Sequence, residues 1–193
     1  MKQDTKYKIL EAGAEIVHRK GFNHTGIKEI LDAAQVPKGS FYFYFKNKED
    51  FGLHLIDYFE EYFSNIIKDI FNDPSLSPLE KIRTLLSTSK EHFKSMDYCC
   101  GCPIGNLAQE MGDISPAFQA RLKKSVDSIA DYYREILLQA REAGEISEKL
   151  DIKEASHFIV FAWHGALTHM KIAKSAEPLE IQERFIFDYI LKP

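Results

Sequence analysis

A chain of 193 residues, 45% of them hydrophobic, carries enough apolar surface for a packed core, which excludes a mainly disordered protein. The net charge of −4 excludes a uniformly basic nucleic-acid binder. The charge is uneven, however: residues 1–50 hold nine Lys/Arg against seven Asp/Glu, and the remainder sixteen against twenty-two. A mildly basic head on an acidic body points to a polyanion partner at the N-terminal end. Met1–Lys8 is polar and charged, unlike the apolar region of a signal peptide, and no run of about 18 apolar residues offers a membrane span. Three crowded cysteines, Cys99, Cys100 and Cys102, fit a reducing cytoplasm better than a disulfide framework.

The hydrophobic periodicity is helical throughout, giving an all-α chain of about nine helices. Asp4–Lys20 places Ile9, Gly13, Ile16 and Val17 on one face and stops at Gly21. Ile27, Ile30, Leu31 and Ala34 then mark a short second helix, with Thr25 placed as its N-cap. Val36-Pro37 breaks it and opens a short aromatic third helix, Lys38–Phe45. Lys48 begins a long fourth helix that ends at Asn72–Ser75. Ser77-Pro78 starts a helix reaching about Ser95. Cys99–Pro103 reads as an irregular link, and Ile104–Met111 as one short helix. Ser115-Pro116 leads into a long helix that Gly144 terminates, and Ile152–Lys174 and Leu179–Leu191 follow, separated by Glu177-Pro178.

Two short helices joined by a tight turn, with a third packed against them, form a minimal helix-turn-helix reader. In the third segment Phe41 and Phe45 lie four apart and face the core, which directs Lys38, Ser40, Tyr42 and Phe43 outward or sideways. A cation, a hydroxyl, a phenol and an aromatic ring suit a major groove, and Gly39 lets the helix start approach the sugar-phosphate backbone. The run Gly21-Phe22, Thr25, Ile27, Ile30, Ala34, Val36 and Lys38–Glu49 closely resembles the signature of the TetR family. That resemblance covers residues 4–50. It implies phosphate contacts from Thr25, Tyr42 and Lys48, and base or groove contacts from Lys38, Ser40 and Phe43. Three positions depart from the family pattern. Gln35 stands where Gly is usual and is expected to take a positive φ; Pro37 replaces a capping Ser; Phe43 replaces a polar residue and changes the expected base preference.

The resemblance further implies a DNA-binding domain over residues 1–47 and a helical ligand-sensing and dimerisation domain over 48–193. The double-stranded operator is the expected partner, with an unidentified small-molecule effector and a homodimer; no cofactor or metal is expected. Residues 157–170 are apolar on nearly every side, which requires a second covering surface. Trp163, Gly165, Ala166 and His169, with Phe185 and Tyr189 of the last helix, are the dimer candidates. Cys102, Asn106, Phe63, Phe93 and Trp163 are the effector candidates. The run Gly101-Cys102-Pro103-Ile104-Gly105-Asn106 looks like a subgroup that includes electrophile and thiol sensors. Cys102 is therefore read either as a modified thiol or as a small packing residue. Three thiols in four positions do not match paired zinc-ligand spacing, and no orienting group makes Cys102 with His92 or His157 a legible enzyme centre.

Overall fold

The computed structural model describes residues 2–192, with the side chains of residues 5–192. Among them are nine α-helices and no strand. In order, these are α1 (Lys2–Lys20), α2 (Ile27–Ala34), α3 (Gly39–Tyr44), α4 (Lys48–Phe71), α5 (Pro78–Ser95), α6 (Pro103–Met111), α7 (Pro116–Glu142), α8 (Ile152–Ala173) and α9 (Glu177–Phe185). A π-helical turn, Ile186–Ile190, closes the chain.

Local chemistry accounts for the helix ends. Asn47 Oδ1 accepts the Asp50 N–H at the start of α4, at 2.8 Å. Ser77 and Glu80 form a reciprocal capping box on α5, with Pro78 in the first turn where its missing N–H is harmless. Asp151 caps α8 through the Glu154 N–H at 2.9 Å. Two sequence expectations are corrected. The N-cap of α2 is Gly26 and not Thr25; Thr25 is 1% exposed, and its hydroxyl donates back to the Gly21 carbonyl at 2.7 Å. Glu177-Pro178 does not separate helices but forms the first turn of α9, where a proline is accommodated.

Two compact units result. The first holds residues up to Phe63 together with Pro103–Ser125. Its aromatic centre joins Phe41, Phe45 and Phe51, whose ring centroids lie 5.2 to 5.7 Å apart, an edge and tilted packing suited to their quadrupoles. Gly52 is required here, because a Cβ would come within 2.4 Å of Phe118 and 2.7 Å of Phe22. Arg121 of α7 clasps Asp57 and Glu60 of α4, with Nε 3.0 Å from Asp57 and Nη1 2.9 Å from Glu60. The guanidinium holds the Glu60 carboxyl below the ordinary range.

The second unit holds Ser64–Cys102 and the chain from Val126 onward. It contains two apolar clusters. The larger gathers residues of α5, α7, α8 and the terminal turn, among them Ile82, Leu86, Ile136, Leu137, Ile159 and Ile186. The smaller contains Phe93, Ala166, Leu167, Met170 and Leu179. Trp163 is half-buried and packs against both. These compact units do not follow the division at residue 47 expected from the sequence, because Pro103–Ser125 joins the first of them.

Candidate functional site

The recognition element is built from its inner face outward. Phe41 and Phe45 are 0% and 1% exposed, so α3 is anchored by two rings one turn apart. The intervening Tyr42 and Phe43 are thereby turned to solvent, at 61% and 65% exposure. Lys38 and Gly39 are exposed at the helix start, and Ser40 is half-buried. A Cβ on Gly39 would meet nothing within 4 Å, so no neighbour in the protein requires glycine there. The α2–α3 turn is closed by Gln35 in the left-handed region, at φ 55°, as its departure from glycine predicted. Its N–H and that of Val36 donate to the last carbonyls of α2, Asp32 and Leu31, which offsets part of the cost of that conformation.

Two of the expected phosphate-contact residues are engaged within the chain. Thr25 is the buried donor to Gly21. Lys48 Nζ donates to the Asn23 carbonyl at 3.4 Å and stands 4.8 Å over the Phe22 ring. Burial lowers the Lys48 pKa, partly opposed by Glu110. Glu110, on α6, accepts the backbone N–H groups of Phe22 and Asn23 at 3.1 and 3.0 Å. It thus occupies the two amides just beyond Gly21, whose φ of 91° turns the chain between α1 and α2. Sequence reading missed this residue.

In the second unit three of the effector candidates come together. Phe93 belongs to the smaller cluster, Cys102 and Trp163 pack against it, and the Phe93 and Trp163 rings are 6.2 Å apart. Phe63 and Asn106, both half-buried, belong to the first unit. The Cys loop is strained: Asp97, Tyr98 and Cys100 have φ of 51°, 54° and 67°, costly for non-glycine residues. Cys99 Sγ accepts from Lys174 Nζ at 3.1 Å.

Of the dimer candidates, Gly165, His169, Phe185 and Tyr189 are exposed, whereas Ala166 is buried and Trp163 packs inward. The exposed residues extend into a stripe. On α8 it runs Phe158, Phe161, Gly165, His169 and Ile172, at helical spacing; on α9 and its terminal turn it adds Ile181, Phe185 and Tyr189. Among the described residues no helix is long and apolar enough to cross a membrane.

Residues 9–54 match the bacterial regulatory proteins of the tetR family, and residues 78–186 match the tetracyclin repressor-like C-terminal domain. The chain is 36% identical over 171 residues to the transcriptional regulator AcuR of Cereibacter sphaeroides, covering 89% of this chain and 78% of that one. It is 27% identical over 186 residues to the HTH-type transcriptional repressor DhaR of a Mycobacterium species, covering 95% and 90%. Its fold superimposes on a regulatory protein TetR from Rhodobacter sphaeroides with a TM-score of 0.90 at 34% identity, covering 95% of this chain and 97% of that one. The reduced form of Escherichia coli NemR gives a TM-score of 0.84 at 25% identity, covering 98% and 100%.

Proposed function

The chain belongs to the tetR family of bacterial regulatory proteins and is a DNA-binding transcriptional regulator, not an enzyme, and we propose that it acts as a homodimeric repressor released from a palindromic operator by a small-molecule effector or by cysteine modification. The observation that carries the reading is the outer face of α3. Lys38, Gly39, Tyr42 and Phe43 are presented to solvent by two rings buried beneath them. Lys38 meets guanine or phosphate, Phe43 meets thymine methyl groups, and the open space around Gly39 admits the sugar-phosphate backbone. Ser40 meets the groove, and Tyr42, Thr25 and Lys48 serve register and phosphate contact, the last after exchanging its contact with Asn23 for one with DNA.

One short helix reads too few bases for genomic selectivity, so two copies address the two half-sites. The apolar stripe of α8 and α9 supports an isologous interface, because large exposed apolar surfaces on a soluble chain mark association sites. Phe93, Trp163 and Cys102 form the effector-sensing core. A coupling of about 1–3 kcal/mol between effector and operator changes affinity roughly 5- to 150-fold. DhaR and NemR, both described as repressors, favour repression as the sign.

Selection of bound sites from random duplex DNA, with and without N-ethylmaleimide, tests the reading. A palindromic consensus is expected. Its loss on thiol modification in the wild type but not in Cys102→Ser assigns the sensor to that thiol. A consensus indifferent to the reagent assigns release to a reversible ligand, and absence of any consensus overturns the proposal.

A further inference from the structure

Gln182 of α9 is 7% exposed, and both its side-chain oxygen and its side-chain nitrogen are buried without a hydrogen-bond partner among the described residues. A buried amide left with both a donor and an acceptor unmet is costly, and native cores rarely retain one without a use. Its place is well defined. Leu179, three residues earlier, belongs to the smaller apolar cluster of the second unit, and Ile186, four residues later, to the larger. Gln182 therefore lies on the inner face of α9 at the junction of the two clusters. Trp163 likewise packs against both clusters. The exposed apolar residues of α9, Ile181 and Phe185, point elsewhere, and Gln182 is buried within one chain without a partner subunit.

From this we infer that Gln182 is the polar anchor of the effector site, and that it selects a neutral ligand presenting an N–H and a C=O side by side on an apolar body: a primary carboxamide or a lactam. The inference rests on the reading of the second unit as the effector-sensing part. The complementarity is two-point. Gln182 Nε2 donates to the ligand carbonyl, and the ligand N–H donates to Gln182 Oε1. A carboxylate would satisfy the nitrogen but set its charge against the amide oxygen. The nearby cation Lys90 is committed to Glu183, 3.1 Å away, and offers no compensation to an acid. A ketone would leave Oε1 unmet, and a site built to hydrogen-bond one group discriminates against an analogue that lacks it. The remainder of the ligand meets apolar surface of Phe93 and Trp163, rings that accept flat or cyclic aliphatic bodies without further polar demands.

The chain contains a single tryptophan, Trp163, which makes its fluorescence a local reporter. The full chain is titrated with ε-caprolactam and with cycloheptanone, which share ring size and differ in the N–H. The wild type is expected to give a saturable change with the lactam at a concentration about tenfold lower than with the ketone, the size of one buried hydrogen bond. Gln182→Met should respond equally to both. It should also melt at or above the wild-type temperature, since an apolar chain of similar length replaces two unmet polar atoms. Equal wild-type responses to lactam and ketone, no saturable response to either, or a lactam preference that survives Gln182→Met would each overturn the inference. The wild-type comparison decides the matter even if the variant folds poorly. Operator binding by the ligand-free chain is scored separately in a DNA-shift assay. Its failure counts against the repressor reading alone, and loss of lactam preference counts against the anchor alone.

Discussion

Glu110 grips Phe22 by its backbone: Oε1 of the one lies 3.1 Å from the amide nitrogen of the other, 88 positions away in sequence. Oε2 takes the next amide, that of Asn23, at 3.0 Å. The same carboxylate faces Lys48, whose ammonium packs on the Phe22 ring and donates to Asn23. One acidic side chain of α6 thus fixes the turn on which α2 is mounted. Because Phe22 is buried, its amide has no ready substitute partner.

Replacing Glu110 should therefore loosen the reading head. Glu110→Ala strands one buried amide and one exposed amide, and is expected to cost about 1–3 kcal/mol in urea unfolding. Operator affinity should fall with it, because α3 is positioned through the same unit. Glu110→Gln keeps one acceptor but turns an NH₂ toward a donor, and should lie between wild type and alanine in both assays. Unchanged operator affinity in both variants would mean that the turn is held by its other contacts.

The outer face of α3 should separate affinity from folding. Gly39→Ala meets open space and replaces the least helix-favouring residue of the first turn. Its thermal stability should be unchanged or higher by a few tenths of a kcal/mol, on the order expected for Gly→Ala in a helix. If the phosphate backbone approaches this position, operator affinity should nevertheless drop about tenfold. Phe43→Ala, removing a ring that is mostly in solvent, should leave the melting temperature within a degree or two and alter the selected base at one position of each half-site.

The helices and the reader were legible because their signals are local. Apolar spacing gave the faces, and Ser77-Pro78 and Gly144 supplied a start and a stop, whereas the Asp151 cap of α8 became visible only in the structure. The positive φ of Gln35 followed from a turn geometry that few residues satisfy. Thr25 misled because hydroxyl and glycine stand adjacent, and the hydroxyl bonded backward to Gly21 instead of forward. Pro178 misled because a proline can begin a helix as readily as separate two. Glu110 had no local signal at all: a carboxylate on a short helix reads as solvated until its partners, 88 and 87 positions away, are placed. Gln182 did leave a trace, being a polar residue at a position of α9 where Leu179 and Ile186 set an apolar face.

The stripe on α8 and α9 makes the oligomeric state testable. Phe161 and Phe185 are 59% and 51% exposed, so charge at either costs little in the isolated chain. Phe161→Arg and Phe185→Glu should each shift the sedimenting species from dimer toward monomer by placing an unpaired charge in a covered apolar surface. Loss of dimer should also remove the dependence of melting temperature on protein concentration. Operator affinity should collapse more steeply than helicity, since the two half-sites are then read by unlinked heads.

A final expectation concerns pH. Burial of His164 in α8 pushes its pKa below the ordinary value of 6.5, because the interior disfavours the imidazolium. The unfolded chain therefore binds this proton more readily than the folded one. Stability attributable to a neutral His164 is present above about pH 6.5 and is lost as pH falls through the ordinary imidazole range toward the depressed folded value. His164→Gln, uncharged at every pH, should flatten that part of the profile. Urea midpoints measured for both proteins between about pH 5 and pH 7.5 isolate the effect as a difference, which cancels contributions from the other histidines and the carboxylates. A wild-type midpoint that declines on acidification more steeply than the variant's is the expected result. Parallel profiles would mean that His164 reaches water in the folded protein and gains its proton there.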